Sequence, residues 1–194
     1  MKYSPVRRLR KIYFTLTGKR KAQSETSKVR HLVLPYCVGH GCDIGFGGDK
    51  IKKDDCIGID YPTPYTKVGA DKVDIGVDLH KEKIPVADNT FDYVYSSHLI
   101  EDFEDTSAIL AEHIRILKNN GNLVLAFPDQ QKYEAYCKKY HLMMNLSHKH
   151  KNFGYQFVMD ALKKIPSIKV NMLFQSDREI DYNVVIAARI EKLN

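Results

Sequence analysis

Residues 42–60, CDIGFGGDKIKKDDCIGID, hold the densest group of residues that could do chemistry. Asp43 precedes Gly45, Gly47 and Gly48, and a second short apolar run closes on Asp60. Glycines after a strand let the backbone approach a ligand and adopt angles closed to other residues. Such a loop fits a dinucleotide or a nucleoside equally well. Here GFGGDK lacks the third glycine at the spacing of a dinucleotide fingerprint. Asp43 would oppose a pyrophosphate but suits a ligand bearing an ammonium or sulfonium charge. Asp60 is placed to accept hydrogen bonds from ribose hydroxyls. Three residues are candidates for drawing a proton from an acceptor: His98 after YVYSS, Asp129 in FPD, and His148 in LSHKHKNF. Each has a competing reading. His98 could be a packed wall residue, Asp129 the cap of a following helix, and His148 part of a solvated basic loop.

These residues need elements to hold them. CVGHGCDIG, CIGID, KVDIGVD and FDYVYSSH read as four short strands, the last rich in aromatic and β-branched residues. EDTSAILAEHIRILKNNG is the clearest helix: Ile109, Leu110, Ile114 and Leu117 share a face, Asp105 or Thr106 caps the start, and Gly121 closes the end. NLVLAFP follows as the near-continuous apolar run of a strand buried on both faces. Residues 131–140 and 153–165 read as helices, and IKVNMLF with YNVVIAARI as an antiparallel hairpin at a sheet edge. Strands alternating with helices before a terminal hairpin predict an α/β fold: a mostly parallel sheet with helices on both faces. Ligands bind such sheets beyond the carboxyl ends of the strands, where the glycine loop, Asp60, Asp78 and Ser96–His98 all fall.

The net charge of +6 over 194 residues is uneven. Residues 1–30 carry ten Lys or Arg against Glu25, a balance of +9 that leaves −3 for residues 31–194. The chain therefore divides into a basic N-terminal arm, 1–30, and a single domain, 31–194, and a nucleic-acid partner for the whole domain is disfavoured. Within the arm, Val6, Leu9, Tyr13 and Leu16 have helical spacing, and 18–28 read as a polar, flexible joint. The arm could close as a lid, rest on an anionic membrane through residues 5–17, or track RNA phosphates. No run of about 18 apolar residues and no secretory-signal pattern occurs, so the expected location is cytoplasmic. Cys37, Cys42, Cys56 and Cys137 form no C-x-x-C pair, and the expectation is buried, reduced thiols with no metal.

CDIGFGGDK resembles the first motif of class I S-adenosylmethionine-dependent methyltransferases. The resemblance continues through GID, VDLHKEKIPVADNTFDYVYSSHLIEDFED and ILAEHIRILKNNGNLVLAFPD, phrases similar to the type 11 branch, over about residues 38–129. It implies a Rossmann-like fold and S-adenosylmethionine as cofactor. Gly45 and Gly47 would lie under its methionine part, with Asp43 near the amino group. Asp60 would hold the ribose and Tyr61 flank the adenosine. Asp78 and Leu79 would meet the adenine edge, and Ser96 and Ser97 would line the floor beside the sulfonium. Two departures stand out. The span from Asp43 to Asp60 is short, implying a stunted first helix, as in a sub-branch associated with surface-glycan biosynthesis. The Glu-His pair of relatives reads Glu101-Asp102 here. The implied reaction is methyl transfer to a hydroxyl, amine or carboxyl of a small molecule or glycan precursor. A catalytically silent cofactor-binding scaffold and an arm-recruited RNA methyltransferase remain the alternatives, and the oligomeric state is left open.

Overall fold

The computed structural model describes residues 23–64, 68–178 and 180–193, so the helix expected over 5–17 lies outside the described residues. Five strands run parallel: β1 (Gly41–Ile44), β2 (Ile57–Asp60), β3 (Ile75–Gly76), β4 (Phe91–Ser97) and β5 (Leu117–Pro128). The hairpin strands β6 (Ile168–Ser176) and β7 (Asn183–Lys192) complete one seven-stranded sheet in the order β3-β2-β1-β4-β5-β7-β6, with β7 antiparallel to both β5 and β6. This is the expected α/β architecture. The order reverses between β1 and β4, which pair directly through Ile44 and Ser96 at their carboxyl ends. A crevice opens at such a switch point because the chain leaves the two strands in opposite directions.

Strand periodicity splits the core. On one face, Ile44, Val94, Leu123 and Leu125 pack against α2 (Thr106–Ile116) and α4 (Tyr155–Lys163) through Leu110, Ile114, Val158 and Leu162. On the other face, Tyr93, Tyr95, Val124 and Val185 meet Val29 and Val33 of α1 (Glu25–Val33). α1 corrects the reading of a joint over residues 25–28, while residues 18–22 lie outside the described residues. Ser24 caps it by accepting from the Ser27 N–H, and only Thr26, Val29 and Val33 are buried. A stripe that narrow between polar residues carries almost no periodic signal. The helix runs through residue 30, where the charge pattern divides arm from domain, and packs on the sheet.

α2 starts on Asp105, whose carboxylate accepts from the Ala108 N–H. It ends at Ile116, where Leu117 turns extended, so Gly121 lies within β5 instead of closing the helix. The stunted first helix goes further than expected, since none of residues 45–56 is helical. Side chains cross-link that segment instead. Lys50 Nζ pairs with Asp74 and donates to the Cys56 carbonyl, and Asp74 also accepts the Gly58 N–H. All four cysteines are buried and free, and no His/Cys/Asp/Glu group among the described residues could hold a metal. No helix among them is long and apolar enough to cross a membrane.

If α1 belongs to the cooperative fold, Val29→Ala should cost about 1–3 kcal/mol, the worth of a fully buried valine side chain. Urea unfolding should show one shifted transition, whereas an unchanged midpoint would mean that α1 frays independently.

Candidate active site

The glycine loop leaves β1 in left-handed turns. Gly45 sits at φ +74°, and a Cβ there would come within 2.9 Å of Leu99. The Gly45 N–H donates to the Ile59 carbonyl at 2.8 Å, and the Gly47 N–H donates to Asp60 Oδ2 at 2.9 Å. The carboxylate expected to face a ribose thus also pins the loop. Burial pushes the Asp60 carboxyl up, against the opposing pull of the Gly47 and Tyr61 N–H groups. A second clamp comes from residues 68–71. Val68 and Asp71 donate backbone N–H groups to the Gly47 and Gly48 carbonyls, and Asp71 Oδ2 accepts the Lys50 N–H. Gly69 lies so close that a Cβ on it would sit 1.8 Å from the Gly48 oxygen.

Two cavities open at the switch point. The first, of about 250 Å³, is lined among others by Asp60, Tyr61, Asp78, Leu79, Leu99 and Phe103. The second, of about 230 Å³, is lined among others by Glu25, Ser97, Tyr133, Asn145, His148 and Tyr182, with Gly47 at its edge. Neither reaches the ~300–1,000 Å³ of an ordinary ligand site. They share Gly45, His98 and Asp102, so one long ligand, or two ligands meeting at Gly45, would fill the pair.

Of the residues expected at the site, Gly45, Gly47, Asp60, Tyr61, Asp78, Leu79, Ser97, His98 and His148 line one or both cavities. Three do not. Ser96 is buried, and its hydroxyl donates to the Ile44 carbonyl at 3.0 Å, which ties β4 to β1. Asp129 caps α3 (Gln130–Tyr140), accepting the Lys132 N–H at 3.0 Å, so its catalytic reading gives way to the capping one. Asp43 is fully buried beneath the loop, where Oδ2 accepts the Ile51 N–H at 2.7 Å and Oδ1 has no hydrogen-bond partner among the described residues. Burial pushes its carboxyl well above the usual range. A cation bound over the loop would favour its charged form.

The two histidines sit in opposite electrostatic settings. His98 Nε2 bonds the Asn183 side-chain oxygen and lies 3.6 Å from Glu25 Oε2, while Nδ1 lies 3.4 Å from Glu101 Oε1. Burial disfavours its charge, but Glu101 and Glu25 outweigh that and push it up to about 9. His98 is therefore an imidazolium at neutral pH and has no lone pair with which to act as a base. His148 Nδ1 meets the Gln130 side-chain oxygen at 2.8 Å, and Nε2 faces Glu101 Oε1 at 3.8 Å. Its ring leans on Tyr133. Burial lowers its proton affinity, with His98 adding to that and Glu101 opposing it. The fold brings the His148 imidazole to Glu101 from a distant loop, which the Lys149 N–H anchors to the Glu101 carbonyl at 3.0 Å. Glu25, Tyr133 and Tyr182 escaped the sequence reading. Glu25 lies in the segment read as a joint, and Tyr182 OH donates to it at 2.7 Å.

Residues 39–125 match the methyltransferase domain family. Solved structures of the same fold include a Thermotoga maritima protein named "SAM-dependent methyltransferase, possible histamine N-methyltransferase". It has 21% identity and a TM-score of 0.59, with 94% of this chain and 95% of that one covered. A SAM-dependent methyltransferase of Archaeoglobus fulgidus has 18% identity and a TM-score of 0.62, covering 91% and 99%. The PH0226 protein of Pyrococcus horikoshii has 14% identity and a TM-score of 0.62, covering 84% and 89%. No curated protein sequence matches. The chain is thus an enzyme of methyl transfer, and its cofactor is S-adenosylmethionine. The site fits that group. Gly45 lines both cavities and a Cβ there would meet Leu99 at 2.9 Å, Asp60 lines the first, and Asp43 Oδ1, without a hydrogen-bond partner among the described residues, is buried at the start of the loop.

Two substitutions separate cofactor support from helix capping. Gly69→Ala should push residues 68–71 off the glycine loop and weaken S-adenosylhomocysteine binding by at least about tenfold in calorimetry, since something must shift at 1.8 Å. Asp129→Ala should cost about 1 kcal/mol of stability as a lost N-cap while leaving that affinity unchanged. A loss of methyl transfer larger than the loss of stability explains, with cofactor affinity intact, would return Asp129 to the site as a catalytic group.

Proposed function

We propose that the protein transfers the methyl group of S-adenosylmethionine to a hydroxyl, amine or carboxyl of a polar small molecule or glycan precursor. The nucleoside would lie in the first cavity, with Asp60 on the ribose hydroxyls, Tyr61 against the adenosine, and Asp78 with Leu79 at the adenine edge. The methionine part would run over Gly45 and Gly47 toward Ser97, and the acceptor would enter the second cavity. That cavity's lining by Ser24, Glu25, Tyr133, Asn145 and His148 supports a hydrogen-bonding acceptor over an apolar one. The resemblance of the short glycine loop to a surface-glycan branch points the same way.

The observation that carries the mechanism is the pair of histidines held apart in proton affinity around Glu101. When bound, S-adenosylmethionine supplies an electrophilic methyl group on a sulfonium with a neutral thioether as leaving group. The chain's own contribution is alignment and proton removal. With the Gln130 oxygen accepting from His148 Nδ1–H, Nε2 carries the lone pair that takes the acceptor's proton. Glu101 then faces the imidazolium that forms. His98, already protonated, pairs with Glu101 and Glu25 and holds both in place.

Calorimetric binding of S-adenosylmethionine and an acceptor screen come first. With an acceptor found, His148→Ala should lower kcat by about 10²–10⁴-fold and leave cofactor affinity unchanged. The active form of His148 is neutral and its affinity for protons is lowered from 6.5, so the acid limb of kcat should fall below that value. A limb above 6.5, or an alanine variant with full activity, would remove His148 as the base.

A further inference from the structure

The loop after α3 is apolar where it is most exposed. Tyr140, Leu142 and Met144 are exposed, and Met143 and Leu146 are 89% and 91% open to solvent. From residue 135 to residue 159 the chain contains no acidic residue, and Lys138, Lys139, Lys149 and Lys151 flank the apolar tip. All four lysines are exposed, and only Lys149 meets a carboxylate among the described residues, Glu104 at 3.5 Å. The tip is held out from the body. The Asn145 N–H donates to the Tyr133 hydroxyl at 2.7 Å, the Ser147 N–H to Asn145 Oδ1, and the Lys149 N–H to the Glu101 carbonyl. Exposed aliphatic side chains ringed by lysines and free of acids suit one kind of surface, in which apolar groups enter an acyl boundary while cations meet anionic headgroups.

We propose that the loop of residues 140–146, with its flanking lysines, seats the enzyme on an anionic phospholipid surface. Charge argues against the other occupants. A two-fold pairing of this loop with a second copy would bring two sets of lysines together. Residues 1–22 carry eight Lys or Arg and no acid, so they too would bring like charge to the loop. RNA would use the lysines but gain little from Leu142, Met143 and Leu146, which offer no stacking face. Asn145 and His148 line the second cavity, so a seated loop would bring the mouth of that cavity to the lipid surface. The docking itself does not depend on the acceptor reading, and binding can be measured without turnover.

The test uses the full chain, with sucrose-loaded vesicles of phosphatidylcholine alone or mixed with phosphatidylglycerol. The protein should sediment with the mixed vesicles at low salt and remain in solution with the neutral ones. Met143→Asp/Leu146→Asp and Lys138→Glu/Lys139→Glu should each weaken that binding by at least about tenfold, with circular dichroism and cofactor affinity unchanged. The chain has no tryptophan, so Met143→Trp provides a single reporter whose emission should shift to the blue on the mixed vesicles. No binding to anionic vesicles would overturn the proposal. So would binding indifferent to both loop variants, which would assign it to another segment. A dimer in light scattering that only the Met143→Asp/Leu146→Asp chain loses would assign the loop to self-association. RNA binding that depends on the lysines but not on Met143 or Leu146 would assign it to nucleic acid.

Discussion

The parallel pairing of β1 with β4 is the constraint on which the site depends. It puts Ile44 beside Ser96, so the two chain segments that follow, the glycine loop and His98–Asp102, leave neighbouring strands at the same edge and diverge. The Ser96 hydroxyl bonded to the Ile44 carbonyl locks that edge together. Gly45, His98 and Asp102 become shared walls of two cavities because the two segments leave adjacent ends of paired strands. Every other functional residue is delivered to this crevice from elsewhere: Asp60 from the end of β2, His148 from the loop beyond α3, and Glu25 from α1 on the opposite face of the sheet.

That gathering carries an electrostatic cost. His98, Glu25 and Glu101 are largely or wholly removed from water, and charges taken out of water are stabilised only when paired and hydrogen-bonded. The structure meets this with three-way compensation. Burial opposes the Glu25 charge, but His98 and Lys28 outweigh it and draw its carboxyl below the ordinary range, and Tyr182 and Asn183 donate to it as well. Because Glu25 sits at the first turn of α1, the helix is fixed to the active site by charge as well as by Val29 and Val33. The proton on His98 is thus part of the architecture, and the nearby His148, without a second carboxylate, is left neutral. Two histidines with the same intrinsic affinity are shifted in opposite directions: Glu101 and Glu25 outweigh burial at His98, whereas burial and the His98 charge outweigh Glu101 at His148.

Much of the sheet was legible in the residues. The apolar runs at β1, β2, β4 and β5 are long or regular enough to stand out, and the polar residues that end them fall at the crevice for a topological reason. α1 was not legible, since three buried positions among nine residues leave no stripe to read. Asp129 and Ser96 sit at the expected edge yet face into a helix cap and a strand contact, an orientation set by the next element's backbone donors and acceptors and not by sequence position. The charge state of His98 was equally hidden. It depends first on Glu101, three residues on within FDYVYSSHLIE, and then on Glu25, which reaches it only after α1 folds over the sheet and which no spacing within that stretch could reveal.

The crossovers from β1 to β3 show how an α/β sheet can dispense with a helix. A helix satisfies its own backbone groups, whereas a loop must find partners outside itself. Residues 45–56 find them in carboxylates. Asp43 accepts the Ile51 N–H, Asp60 the Gly47 N–H, and Asp71 the Lys50 N–H, while Asp49 ties the loop to Arg30 and Ser24 of the α1 segment. Such a loop is rigid only while those carboxylates remain acceptors. Asp43 and Asp60 are the two whose burial pushes their carboxyls up, and they are also the two nearest the glycine backbone. A cationic ligand over the loop would favour the charged form of both, in which they accept these N–H groups more strongly. Asp43 and Asp60 thus hold the loop where a helix would have satisfied its own backbone groups, so the shape of this edge of the crevice rests on two carboxyl side chains.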